Sequence, residues 1–317
     1  MAIISGMDIH RLHSGSAEAV IAARGAELQS LRLGGRDLLW EAGPLWPRHA
    51  PLLFPIVGRL GDDAMRLGDR TFPLPRHGFA RDRDFALVEG TATTCTAELR
   101  DDEATRAAYP FPFVLRVAYT LTGASLRMDL ALRNPGEAPL PASLGLHPAF
   151  RWPLAPDLPK AAHRLVFEAG EPGPLRRLDA GGLLDPAARP SPIQDRVLPL
   201  GEGLFQEDAL IFLEPRSRRL RFEAEGGPSL ELSWEGFAHL GIWTKPHPGP
   251  GFLCLEPWEG HADPADWRGD FREKPGAFTL APGATRRWSL TITLEAEVRW
   301  PAAPTPAPPP GNVGWPG

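Results

Sequence analysis

The chain is short of cysteine: Cys95 and Cys254 are the only two in 317 residues. That is too few for a disulfide framework, and the pair lacks the spacing of a zinc site. Clustered cations are missing as well. The net charge is -5 and arginines are scattered among acidic residues, so there is no electrostatic reason to expect a nucleic-acid partner. Met1 to Gly6 lacks a basic segment followed by an apolar run, and no stretch approaches the roughly 18 apolar residues of a membrane span. These absences predict a soluble protein of the reducing cytoplasm. No Gly-rich loop leads from a strand into a helix, which leaves phosphate or dinucleotide cradling unsupported. His261, Asp263 and Asp266 lie close together, but in a Pro- and Gly-broken loop with no His-Glu-x-x-His helix, a poor platform for a metal. Neither a metal nor another cofactor is expected.

Glycine and proline, in contrast, are plentiful. The 33 Gly and 37 Pro are spread along the chain, so turns recur often and long helices have little room. Ser125 to Asn134 alternates Leu126, Met128, Leu130 and Leu132 with Arg127, Asp129, Ala131 and Arg133, the period of a half-buried strand. Similar runs occur at Ala17 to Ala23, Ala26 to Leu33, Phe113 to Leu121, Leu220 to Glu225, Ser229 to Trp234, Leu240 to Trp243, Phe252 to Leu255 and Thr285 to Val298. Their close spacing, without crossover helices, predicts an all-β fold: a large antiparallel β-sandwich. Residues 1–300 are expected to form one domain. Pro153 to Pro199 reads as a long irregular excursion with one strand near Arg164 to Phe167. Pro301 to Gly317, nearly all Pro, Ala and Gly, reads as a flexible tail.

Three distant segments supply two histidines and a carboxylate in Pro- or Gly-rich contexts: Arg76-His77-Gly78-Phe79-Ala80-Arg81, Leu146-His147-Pro148-Ala149-Phe150 and Cys254-Leu255-Glu256-Pro257-Trp258. Brought together, they would make a cofactor-free acid/base site. Each also has a plainer explanation. His77 can be a polar turn residue after Pro73-Leu74-Pro75, and His147 a hydrogen-bonded strand-end residue. Glu256, closing the strand Phe252 to Leu255, can simply cap it. Alternation there puts Leu253 and Leu255 on one face and Cys254 and Glu256 on the other. Arg59 sits in an otherwise apolar stretch from Pro51 to Leu60, where a guanidinium needs either a carboxylate or a ligand.

Five segments in the same chain order carry a family resemblance. They are Gly25-Ala26-Glu27-Leu28-Gln29-Ser30-Leu31 with Leu39-Trp40, Phe54-Pro55-Ile56-Val57-Gly58-Arg59-Leu60, HGFAR from His77, HPAF from His147 and CLEPWEG from Cys254. From about Ala17 to Leu294 the chain resembles the aldose 1-epimerases, or galactose mutarotases, especially their bacterial LacX-like branch. The resemblance implies the twisted β supersandwich of that family and exchange of sugar anomers through the open chain. It implies Glu256 as base at O1, His147 as acid at O5, His77 hydrogen-bonding near O5, and Arg59 holding ring hydroxyls. Asp208, on a looser match, would contact a sugar hydroxyl. Trp258 is a candidate to stack on the sugar's C-H face, with core packing as its alternative. The acid and base are expected to lie a sugar ring apart.

The expected partner is a small-molecule sugar, a free hexose or related aldose, with neither nucleic acid nor membrane involved and the chain a monomer or homodimer. Arg59, Arg76, Arg81 and Arg83 keep a hexose 6-phosphate open as the substrate. A non-catalytic carbohydrate-binding protein on the same fold is the competing class. A third reading makes the chain a scaffold whose Pro-rich tail recruits a partner.

Overall fold

The computed structural model describes residues 9–298, so the expectation for the Pro301 to Gly317 tail lies outside the described residues. The Ser125–Arg133 strand pairs with Val114–Thr122 across a tight turn at Gly123, whose φ of 55° takes the left-handed conformation that glycine tolerates best. Its apolar positions Leu126, Met128, Leu130 and Leu132 are all buried, as the period of two requires.

These two strands belong to a nine-stranded antiparallel sheet. It runs from Val197–Pro199 at one edge, through His163–Phe167, Gly227–Glu235 and Thr285–Val298, to Ala86–Gly90 at the other. A six-stranded antiparallel sheet consists of Leu52–Leu53, Leu144–Leu146, Ala149–Arg151, Leu210–Phe212, His239–Trp243 and Phe252–Glu259. A smaller four-stranded sheet holds Ile9–Ser14, Ala17–Ala22, Leu28–Leu33 and Arg36–Asp37. One hydrophobic cluster takes in inward side chains of all three, among them Leu12, Leu31, Leu126, Leu130, Leu253 and Leu255. Burying each such leucine stabilises the fold by about 1.5–3 kcal/mol. Helix is confined, among the described residues, to Glu103–Ala108 and short 3-10 turns. The all-β antiparallel sandwich read from the sequence is therefore the fold.

The 153–199 excursion is irregular as expected and contains the strand His163–Phe167, with Val197–Pro199 at its end. Two boundaries differ from the pattern-based reading. The strand expected from Ala26 begins at Leu28, because Gly25 (φ 70°) and Ala26 (φ 46°) are both left-handed there. A Cβ on Gly25 would lie 2.9 Å from the carbonyl oxygen of Arg81, so that turn packs directly onto the HGFAR segment. The strand expected to stop at Leu255 runs on to Glu259, so Glu256 lies within the strand and does not cap it. Pro257 interrupts nothing because the Leu255 N–H points to the Pro148 carbonyl (3.2 Å). By alternation the missing N–H of Pro257 falls on that same side, where pairing with the neighbouring strand stops at Gly145↔Trp258.

Candidate active site

Strand Phe252–Glu259 is the spine of the site. Leu253 and Leu255 join the main core, which turns Cys254, Glu256 and Trp258 to the other face of the sheet. Trp258 lies against Gly145 and Gly241 on the two neighbouring strands. A Cβ at either glycine would come within 2.6 Å or less of the indole ring, so both positions need glycine to admit it.

The chain that delivers His147 breaks its pairing between two short strands. Leu146 is paired with Leu52 and Ala149 with Cys254. Between them the His147 N–H reaches the Pro51 carbonyl, and Pro148 prevents continuation of a regular ladder. The His147 imidazole is thereby turned onto Glu256, with Nε2 at 3.1 Å from Oε2. Trp46 stacks on the ring at 5.1 Å, while Trp243 and His77 meet it edge-on, each at 5.7 Å.

His77 stands at a left-handed φ of 67° directly before Gly78 (φ 68°). A Cβ on Gly78 would sit 2.3 Å from the Phe54 carbonyl oxygen, so glycine is needed to let the HGFAR turn settle on the FPIVGRL segment. The two segments are cross-bonded: the His77 N–H donates to the Gly58 carbonyl (2.8 Å) and the Gly58 N–H donates to His77 Nδ1 (3.1 Å). A neutral His77 accepting at Nδ1 carries its proton on Nε2.

A cavity of about 190 Å³ opens over these groups, lined by His77, His147, Asp208, Glu256 and Trp258 among others. Five of the six residues singled out from the sequence thus converge. Arg59 is outside the lining. Its guanidinium makes a two-point ion pair with Asp63 (2.7 and 2.5 Å) and donates to the Gly181 carbonyl, so it braces the loop at the cavity's edge. Asp208 is half-buried with its carboxylate accepting from the Ala209 N–H, whereas the adjacent Glu207 is exposed. Trp152 is fully buried against Phe205 and packs in the interior. Lys245 donates to the Leu45 carbonyl. His261 and Asp263 are buried just behind the wall residue Ala262, Asp263 accepting from the Gly61 N–H and facing Lys274.

The lining also includes Trp46, Trp243 and Gly182, which the sequence reading gave no role, and Arg76 and Arg81, which it named only as candidates to pair with a substrate phosphate. Arg76 directly precedes the HGFAR motif and Arg81 ends it, and that adjacency to His77 was the available signal. Trp46 and Gly182 come from irregular segments with no periodicity to place them.

The electrostatics follow from burial. Desolvation, then the Asp208 carboxylate, push the Glu256 carboxyl well above the usual range, with the Trp258 indole opposing. Burial pulls His147 down to about 3, and the charges of Arg81 and Arg48 add to this. His77 is held well below its ordinary value by burial, with His147 and nearby arginines contributing. A lone charge on either Glu256 or His147 is thus disfavoured. In contact, the two share a single proton, as an ion pair or as a neutral pair. This differs from the expected separation by a sugar ring. The reason is local: the break in pairing at His147-Pro148 lays the imidazole directly against the Glu256 carboxyl, and two buried groups that are each costly to charge alone lower that cost by touching.

Comparison with known proteins bears on the family and the fold. A family model described as aldose 1-epimerase matches residues 8–292. Protein LacX (chromosomal) of Lactococcus lactis subsp. lactis is 31% identical over 281 residues, covering 85% of this chain and 94% of the relative. A galactose mutarotase related enzyme from Lactobacillus acidophilus superimposes with a TM-score of 0.84 at 30% identity, over 92% of this chain and 100% of that one. A galactose mutarotase-like protein from Lactobacillus casei ATCC 334 gives the same TM-score and identity over 90% and 100%.

Proposed function

We propose, for a chain that belongs to the aldose 1-epimerase family, that it interconverts the α and β anomers of a free hexose or related aldose without a cofactor. The observation that carries this reading is the 3.1 Å contact between His147 and Glu256 on the wall of a sugar-sized cavity. In the forward half-reaction the Glu256 carboxylate takes the proton from the O1 hydroxyl, and the O1–H electrons form the C1=O double bond. The C1–O5 bond breaks, and O5 takes the proton from the His147 imidazolium. Rotation about C1–C2 presents the other carbonyl face, and the same steps run backwards close the ring as the opposite anomer.

Ring opening thus converts an ion pair into a neutral pair. Burial favours that conversion, because each group is more easily uncharged here than in water. His77, with Nε2–H as its free donor, serves the ring oxygen or an adjacent hydroxyl. Asp208 accepts from a sugar hydroxyl, Trp258 offers an apolar face, and Arg59 acts through the loop it braces.

Replacing Glu256 with Gln keeps the shape and removes the base. We expect anomer exchange, followed by NMR exchange spectroscopy on a panel of aldoses, to fall by about 100- to 10,000-fold, with sugar affinity largely kept. A sugar-binding protein without catalysis would instead show no enzyme-dependent exchange in the unmutated chain and no effect of the substitution.

One observation favours a second reading, a hexose 6-phosphate as substrate. Arg81 is half-buried, its buried Nε without a hydrogen-bond partner, and Arg76 lies beside it in the lining. Two guanidiniums at the cavity wall suit a phosphate dianion.

A further inference from the structure

Strand Phe252–Glu259 presents Cys254 to the same side as Glu256, two residues on. The mechanism above uses Glu256 and leaves the thiol idle. Cys254 is fully buried, yet its sulfur, a carboxylate oxygen of Glu256 and a ring nitrogen of His147 all lie within 4.8 Å of one another. Glu256 Oε2 is buried without a hydrogen-bond partner of good geometry, so a lone pair is free at the centre of the group.

We propose that His147, Cys254 and Glu256 form a three-ligand site for a thiophilic divalent cation such as Zn2+, and that its occupation shuts off anomer exchange. The geometry suits such an ion. Tetrahedral Zn2+ holds nitrogen and oxygen ligands roughly 3.3 Å apart and sulfur roughly 3.6 Å from either. His147 Nε2 and Glu256 Oε2 already stand 3.1 Å apart, so the sulfur alone has to close in, by up to about 1 Å.

The charge suits it as well: a thiolate and a carboxylate neutralise the ion in a site where an unpaired charge is costly. On binding, the Cys254 S–H proton and the proton shared by Glu256 and His147 leave to solvent, and two anionic ligands plus one neutral imidazole remain on the metal. His147 and Glu256 line the cavity, from which water or a sugar hydroxyl would supply a fourth ligand. The lone pairs that would move protons at O1 and O5 are then bound to the ion, so this is an inhibitory site and not a cofactor site.

The inhibitory part rests on the acid/base reading above; the binding part does not. The test titrates the full-length, chelator-treated chain with Zn2+ while following anomer exchange, and separately with Cd2+ while following thiolate-to-metal ultraviolet absorption. Cys254→Ala and Cys254→Ser serve as two independent variants, with Cys95→Ala as the control for the other thiol. The expected result is a Cd2+ band in the unmutated chain and in Cys95→Ala that both Cys254 variants lose. Zn2+ should slow exchange reversibly, with chelator restoring it. Both Cys254 variants should exchange anomers within about twofold of the unmutated rate and need roughly tenfold or more Zn2+ for the same inhibition. Absence of the band from the unmutated chain, or equal Zn2+ sensitivity in all forms, overturns the proposal. A chain that shows the band yet exchanges no anomers would defeat the acid/base reading and leave the metal site standing.

Discussion

Arg81 pays for its position, since burial and the nearby Arg48 charge pull its guanidinium down to about 10. It donates to the Arg76 carbonyl (2.7 Å) and stays 3.7 Å from Asp82, which leaves part of its charge for a ligand. A charge-assisted hydrogen bond to phosphate contributes about 1.5–3 kcal/mol. On the 6-phosphate reading, Arg81→Ala therefore raises KM for hexose 6-phosphates by roughly 10- to 100-fold while free hexoses change little. On the free-aldose reading that we favour, the two substrate classes shift together. Anomer-exchange kinetics on paired sugars, such as a hexose and its 6-phosphate, separate the two.

Among the elements, strand Phe252–Glu259 is the one most legible in advance. The alternation of Leu253 and Leu255 against Cys254 and Glu256 was readable because a strand's period of two needs no tertiary information. Its end was not readable: Pro257 marks a strand terminus only when its missing N–H would face a partner, and that depends on where the His147-Pro148 chain runs. The loop after this strand is anchored by a buried ion pair, also out of reach of local pattern. Lys274 Nζ lies 3.6 Å from Asp263 and donates to the His261 carbonyl (2.6 Å). Asp263 in turn accepts from the Gly61 N–H (2.8 Å), and its own N–H bonds the Arg59 carbonyl (2.9 Å). Segment 58–61 is thus gripped between Asp263 and His77. Lys274→Met strands the Asp263 carboxylate in the interior and should cost about 3–5 kcal/mol, with the double variant Lys274→Met/Asp263→Asn recovering part of it. Denaturant unfolding of the three proteins measures this, and a single variant as stable as the parent would remove the clamp from the account.

For the whole molecule, burial of titratable groups sets the response to acid. His261 is pulled down to about 3, chiefly by burial, and His163 and His239 are lowered for the same reason. Below the ordinary histidine value of 6.5 the unfolded chain takes up protons that these rings refuse until the pH nears their folded values. The unfolded state then binds more protons, so stability falls as pH drops from 6.5 toward 3. The Glu256–His147 pair is nearly neutral in this balance between about 4.5 and 6.5, because folded and unfolded forms each hold about one proton there. Asp63, Asp102, Glu202 and Asp270, whose folded values are depressed, lose stabilisation at the lower end of the range. Asp263 and Glu259, whose values are raised, oppose the trend with fewer groups. The melting temperature should accordingly fall between about pH 7 and pH 4.5, and His261→Gln should flatten the fall. A profile level across that interval would falsify the assignment of buried neutral histidines.

What the chain determined by itself is whatever depends on neighbours two residues apart or on the chemistry of single side chains. That covers the all-β class, the core-facing sides of its strands, and the choice of His77, His147 and Glu256 as candidates. Tertiary structure alone decided that His147 and Glu256 touch, that Arg59 braces a loop while Arg76 and Arg81 line the cavity, and that Cys254 lies within metal-ligand reach of the pair. Those outcomes depend on strands brought together from more than a hundred residues apart, and on the loss of water that follows. Neither leaves a trace in local sequence.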